Sequence, residues 1–209
     1  MKTSHDVIAR SHQLDGTPDQ LTAYYGSWAT TYEQDVRNVD YQGPRIMADL
    51  FTSLQRDGTP TTALDAGCGT GLIGSQLAAR AETTLDGLDL SHAMIAEAAK
   101  TGTYRLLTSG VDLNLGLREI SAHTYDITLC CGVFTPGHVL PVAVEGLLRV
   151  TRPGGYVLLS TRKRYLGETN FVEHLNELCT AQRTEVLQRH VDQPYTADET
   201  ADYWVLASR

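Results

Sequence analysis

Thr61-Thr62-Ala63-Leu64-Asp65-Ala66-Gly67-Cys68-Gly69-Thr70-Gly71-Leu72 is the stretch that decides the fold. Its first part, Thr61–Asp65, is short and bounded by turn residues, which reads as a buried strand. Its second part carries glycines at 67, 69 and 71. Each missing Cβ lets the backbone turn sharply or lets a ligand approach it closely. Leu72–Arg80 follows with helical spacing. Strand, glycine loop and helix in that order begin a unit of an open α/β sheet, whose ligands bind beyond the C-terminal ends of strands.

Outward from this unit the alternation continues. Thr83–Asp89 reads as a strand, Ser91–Lys100 as a helix with Ser91 as N-cap, and Tyr104–Thr108 and Tyr125–Cys131 as further strands. Val139–Val150 reads as a helix and Gly155–Thr161 as a strand, and Glu168–Arg183 is amphipathic. The chain closes on two strand candidates, Glu185–Val191 and Asp202–Ser208, with no helix between them. Toward the N-terminus, residues 19–36 bring Leu21, Tyr24, Tyr25, Trp28, Tyr32 and Val36 to one helical face. Gly43-Pro44 opens a second helix with Ile46, Met47, Leu50, Phe51 and Leu54 at three-and-four spacing, and Gly58 lies beyond its end. The fold expected is α/β: a doubly wound, mostly parallel seven-stranded sheet with helices on both faces and an antiparallel C-terminal strand. The 209 residues fit one such domain, since no repeat or linker divides them.

Charge narrows the partners. Twenty-five acidic residues against 17 basic ones leave a formal charge of −8, the wrong sign for neutralising phosphates, so nucleic acid is not an expected partner. The first sixteen residues, MKTSHDVIARSHQLDG, break every apolar run with charge or histidine and read as neither signal peptide nor membrane span. Cys68, Cys130, Cys131 and Cys179 include an adjacent pair unsuited to a structural disulfide and no C-x-x-C spacing for zinc. A cytoplasmic protein with reduced thiols and no metal is the expectation.

The glycine loop alone is compatible with a plain turn. A second element strengthens the ligand reading: the next strand ends in Asp89, eighteen positions after Gly71. An acid at that strand end can accept both ribose hydroxyls of a nucleoside, although Asp89 taken by itself also suits a helix cap. Dinucleotide sites carry G-x-G-x-x-G and set a helix N-terminus against pyrophosphate. Here the spacing is G-x-G-x-G with Asp65 two residues ahead of the first glycine. A carboxylate there opposes pyrophosphate and suits the cationic amino-acid end of S-adenosylmethionine.

With those residues in view, the chain resembles the class I S-adenosylmethionine-dependent methyltransferases along most of its length. Asp65–Gly71 is similar to their first motif and Gly87-Leu88-Asp89-Leu90-Ser91-x-x-Met94 to their second. Arg149-Val150-Thr151-Arg152-Pro153-Gly154-Gly155 is similar to the turn before their fifth strand. More narrowly, Tyr25-x-x-Trp28-Ala29-x-x-Tyr32-Glu33-x-Asp35-Val36 and Cys131–Val139 resemble the Williams–Beuren syndrome chromosome region methyltransferase-like group, which carries Asp where this chain has Gly26 and Glu33. The resemblance implies that Asp89 holds the ribose, with Leu90 and Met94 against adenine. It implies that Asp112, within Gly110-Val111-Asp112-Leu113, accepts from the adenine amino group beside Leu113. Gly67, Gly69 and the Cys131 backbone would line the methionine portion. Tyr25, Trp28 and Tyr32 would belong to a helical lid formed by residues 1–43.

Aromatics at this spacing also serve as ordinary helix packing, and both readings stand for Tyr25, Trp28 and Tyr32. His138 follows the fourth expected strand, where a histidine titrating near neutrality could serve as general base; a helix-terminal residue without catalytic duty is the plainer reading. Arg162-Lys163-Arg164 reads as a solvated loop. The reaction implied is methyl transfer to an O, N, S or C nucleophile of a small molecule. Two alternatives remain: a protein that binds S-adenosylmethionine without transferring methyl, and a nicotinamide-dependent oxidoreductase, whose loop spacing and Tyr-x-x-x-Lys pattern are missing.

Overall fold

The computed structural model describes residues 3–11, 14, 16–55, 61–80 and 82–209. Gly58, expected past the second helix, lies outside the described residues, as do residues 1, 2, 12, 13 and 15 of the expected lid. In chain order the elements are α1 (Ser4–Ser11), α2 (Pro18–Asn38), α3 (Gly43–Leu54), β1 (Thr61–Ala66), α4 (Leu72–Ala78), β2 (Thr83–Asp89), α5 (His92–Lys100) and β3 (Leu106–Ser109). After a 3-10 turn at Leu113–Leu115 come β4 (Tyr125–Phe134), α6 (Ala143–Val150), β5 (Thr151–Arg162), α7 (Lys163–Glu168), α8 (Phe171–Thr180), β6 (Thr184–Pro194) and β7 (Thr200–Ser208).

The strands form one seven-stranded sheet in the order β3-β2-β1-β4-β5-β7-β6. β1 pairs in parallel with β2 and β4, whereas β7 runs antiparallel to both β5 and β6. The expected architecture holds. Side chains alternate between faces along each strand. Ala63, Leu85, Ile127, Leu129, Leu158 and Val205 meet α3 and α4 on one side. Leu64, Leu88, Cys130, Val157, Leu159 and Leu206 meet α6 and α8 on the other. Burial of both faces is why β1, β4 and β5 read as nearly continuous apolar runs.

Several boundaries moved for physical reasons. β4 continues past Cys131 to Phe134 through Gly132, which adopts φ +76° where the pairing with β5 shifts register. The helix expected from Val139 begins at Ala143, because Leu140, Pro141 and Val142 form a tighter turn with i→i+3 hydrogen bonds. The amphipathic stretch 168–183 narrows to α8, and α7 precedes it. The basic run is therefore no solvated loop: Arg162 ends β5 buried and ion-paired with Glu199, and Lys163 and Arg164 enter α7. Near the N-terminus α1 packs on α2 through Ser4 Oγ, which donates to Asp35 Oδ1 at 2.7 Å.

Phe171 locks α8 to the sheet. It is fully buried, with ring centroids of Phe134, Tyr165 and Trp204 at 5.6, 6.0 and 5.6 Å. Phe171→Ala is expected to cost about 3–5 kcal/mol of folding stability, measured by urea unfolding.

Candidate functional site

The parallel strands β1, β2 and β4 end on one edge, and a cleft opens there. The glycine loop is fixed first. Gly67 and Cys68 N–H groups both donate to the Leu88 carbonyl, at 2.8 and 2.9 Å, tying the end of β1 to β2. Gly69 N–H donates to Asp89 Oδ2 at 3.0 Å, and Asp89 Oδ1 accepts from Ser91 N–H at 2.8 Å. One carboxylate thus clamps the loop to the start of α5. Ser91, whose hydroxyl accepts from Met94 N–H, is the helix cap.

The glycines do different work. A Cβ at Gly67 would lie 2.4 Å from Val133 Cγ2, so this position is glycine to let the loop pack against β4. A Cβ at Gly69 would meet nothing within 4 Å, so its backbone borders open space. That space is about 730 Å³ including its open mouth. Gly67, Gly69, Asp89, Leu90, Met94, Asp112, Leu113, Cys131 and His138 all line it, together with Tyr25 and Tyr32 from α2. Leu21, Val111, Gly132, Val133 and Val139 also line it and were missed as site residues. Of these, Val111, Gly132 and Val139 had a detectable signal, each adjoining an expected site residue.

Two expected wall residues stand one layer back. Trp28 is buried behind the aromatic wall, its ring 5.8 Å from Tyr25 and 4.7 Å from Tyr32, and its indole N–H donates to Asp35 Oδ2. On a helix advancing about 100° per residue, Leu21, Tyr25 and Tyr32 fall within about 40° of one another, while Trp28 points about 60° from Tyr25. Asp65 is also fully buried beneath the loop, where Oδ2 accepts from the Tyr104 hydroxyl at 2.8 Å. Its other oxygen, Oδ1, has no partner among the described residues. Period-two alternation puts Asp65 on the same sheet face as Ala63, and Tyr104 packs against that face.

Burial sets the electrostatics. It pushes the Asp65 carboxyl up to about 7, against the Tyr104 hydrogen bond that lowers it. Burial also raises Asp89, with the Ser91 and Gly69 N–H groups opposing. His138 is lowered to about 4 by burial, against its bond to the Pro136 carbonyl. Nδ1 lies 3.1 Å from that carbonyl and so carries the ring proton. The Tyr25 hydroxyl, 2.6 Å from Nε2, therefore donates to it. This corrects the expectation of a base titrating near neutrality: His138 is neutral and its lone pair is engaged. The Cys131 thiol, pushed up to about 11 by burial, lies 3.4 Å from Tyr41 Oη.

Residues 63–155 match the family described as a methyltransferase domain. Human methyltransferase-like protein 27 is 36% identical over 163 residues, which cover 75% of this chain and 64% of that protein. The ubiquinone biosynthesis O-methyltransferase of Cronobacter sakazakii is 30% identical over 107 residues, covering 48% of this chain and 42% of its own. The chain thus spans less than two thirds of the length of these curated relatives. Among solved structures, a TehB-like SAM-dependent methyltransferase from Corynebacterium glutamicum superposes with TM-score 0.66 at 18% identity, over 90% of this chain and 99% of its own. The [4+2]-cyclase SpnF superposes with TM-score 0.66 at 18% identity, over 94% and 97%. These likenesses establish the fold.

The two shifted groups act on stability in opposite senses. Folded Asp65 keeps its proton up to about 7 while an unfolded Asp loses it near about 3.9, so its contribution falls as pH rises between them. Folded His138 stays neutral down to about 4 while an unfolded His charges near about 6.5, so its contribution is lost as pH falls through that window. Asp65→Asn is expected to gain stability over the parent as pH rises from about 4 to about 7, read from urea midpoints. NMR of the His138 ring is expected to show protonation near pH 4.

Proposed function

We propose that the chain is a class I S-adenosylmethionine-dependent methyltransferase that transfers the cofactor's methyl group to an O, N, S or C nucleophile of a small molecule. The observation that carries the proposal is the Gly69–Asp89 clamp at the mouth of a cleft bordered by α2 aromatics. The cleft's residues fit the cofactor. Asp89 keeps acceptor capacity for the ribose hydroxyls, Leu90 and Met94 offer apolar contact for adenine, and Asp112 with Leu113 would meet its amino edge. Open space at the Gly69 backbone suits the methionine portion, with Gly67 and Cys131 beside it. The unpartnered Asp65 Oδ1 suits a donor from the amino-acid end, acting from beneath the loop. Tyr25 and Tyr32, which line the cleft and are braced by Trp28, offer aromatic rings to a cationic neighbour.

When bound, the cofactor supplies an electrophilic methyl on positively charged sulfur. The chain's own task is alignment and exclusion of water, and alignment alone is worth roughly 7–11 kcal/mol. His138 contributes by position: neutral, it accepts the Tyr25 hydroxyl and latches α2 to the loop after β4. In this reading the described residues of the 1–43 segment form the lid, with α1 bracing α2. An acidic chain is a poor partner for nucleic acid, and the name of the ubiquinone biosynthesis relatives supports a small acceptor. No helix of the described residues is long and apolar enough to cross a membrane. Four free thiols support a cytoplasmic location as part of the same proposal.

Calorimetry with S-adenosylmethionine, its demethylated product and NAD tests this reading. The first two are expected to bind and NAD is not; binding of NAD alone would overturn it. Asp89→Ala is expected to weaken cofactor binding by roughly 1.5–3 kcal/mol, the range for hydrogen bonds to a charged group. Binding without turnover of any acceptor would favour a non-transferring cofactor protein instead.

A further inference from the structure

A second, smaller cavity adjoins the cleft. Tyr25, Tyr32 and Gly132 belong to the walls of both, so these three residues form the junction. Beyond it, Trp28, Tyr41 and Tyr195 complete a box of five aromatic rings. Tyr41 and Tyr195 meet edge to face with centroids 4.9 Å apart. Among the described residues, no Asp, Glu, Lys, Arg or His lines this box. The nearby guanidinium of Arg162, 5.5 Å from the Tyr195 ring centroid, has its charge met by Glu199.

Among the described residues the walls of this second cavity also lack a base, and Asp89 and Asp112 line the first cleft instead. His138 Nε2 already accepts the Tyr25 hydroxyl, and both Asp89 oxygens hold backbone N–H groups. Burial keeps the Tyr25, Tyr32 and Tyr41 hydroxyls protonated, Tyr195 is raised to about 12, and the Cys131 thiol is raised to about 11. An acceptor that must lose a proton before attacking, such as a phenol, finds nothing beside it to take that proton. A neutral nitrogen with a free lone pair needs no base.

Resting on the methyltransferase reading, we infer that this second cavity holds the acceptor, and that the acceptor is a small, flat, neutral nitrogen base methylated on its ring nitrogen. The nitrogen lone pair forms the N–CH3 bond as the methyl–sulfur bond breaks and its electron pair returns to sulfur. Positive charge passes from sulfur to nitrogen, and no proton moves. The charge arrives among electron-rich ring faces, which stabilise a cation most strongly where water is excluded. An alkyl amine is protonated at neutral pH, so its lone pair is engaged before it reaches the junction.

The full chain with S-adenosylmethionine is offered pyridine, 1-methylimidazole and isoquinoline, with phenol as the ring-matched competitor, and products are read by mass spectrometry. At least one nitrogen base is expected to gain a methyl and phenol is not. On protein loaded with S-adenosylhomocysteine, calorimetry is expected to show binding of N-methylpyridinium. Tyr195→Leu is expected to raise the KM of the nitrogen acceptor and the Kd of N-methylpyridinium by about tenfold. It leaves S-adenosylhomocysteine binding unchanged, which also reports that the variant is folded. Tyr195→Phe keeps the ring face and is expected to retain parent values. Methylation of phenol, an unchanged KM in Tyr195→Leu, or no conversion of any nitrogen base by protein that binds S-adenosylhomocysteine would each overturn this inference. Loss of S-adenosylhomocysteine binding in the parent chain would instead overturn the methyltransferase reading.

Discussion

The hydrogen bond from Gly69 N–H to the Asp89 carboxylate is the constraint on which the rest of the site depends. It exists because β1 and β2 run parallel in a register that sets Asp65 opposite Gly87 and Ala66 opposite Leu88. One residue further on, β2 ends in Asp89 beside the loop that leaves β1. A half-buried carboxylate at that point needs donors, and two backbone N–H groups supply them. The same contact orders the loop, whose glycine at 69 then leaves the cleft open.

Beneath the loop a single tyrosine repeats the logic. The Tyr104 hydroxyl donates to Asp65 and accepts from Gly74 N–H. Its ring fills the space that side chains at Gly74 and Gly87 would occupy, since a Cβ at either would lie 2.7 and 2.8 Å from it. Two helix and strand positions are therefore glycine to admit one aromatic that satisfies half of a buried carboxyl. The other half stays unsatisfied. An uncompensated buried oxygen disfavours the folded state, and its position under a ligand-sized cleft is the kind of strain that functional sites retain.

Most of the architecture was legible because hydrophobic period and glycine placement are local. Strand ends at Asp65 and Asp89, the Ser91 cap and the antiparallel finish needed only neighbours in sequence. What failed was direction and distance. Trp28 and Asp65 were assigned to the right elements but stand behind the cleft wall, because helical angle and strand alternation turn them away from it. Arg162 looked solvated in a basic triplet, but its partners Glu199 and Tyr195 lie more than thirty residues along the chain. His138 was located correctly, yet its state depends on Tyr25, 113 positions earlier. Charge state at a buried site is a property of packing, which one stretch of sequence does not carry.

The aromatic box shows the same limit most sharply. Its walls come from α2, the turn after it, the bulge at Gly132 and the segment between β6 and β7. None of these forms a motif, and each aromatic read alone is an ordinary core residue. They meet because Gly132 takes a positive φ at the register shift in β4, leaving room where a Cβ would lie 2.7 Å from Tyr41 Oη. The superposition with a [4+2]-cyclase makes the consequence general: a sheet of this order can carry chemistry other than methyl transfer. The strand ends and glycine loop shape the first cleft. In the proposed reading acceptor choice falls to the second, whose form depends on a bulge and two tyrosines far apart in sequence.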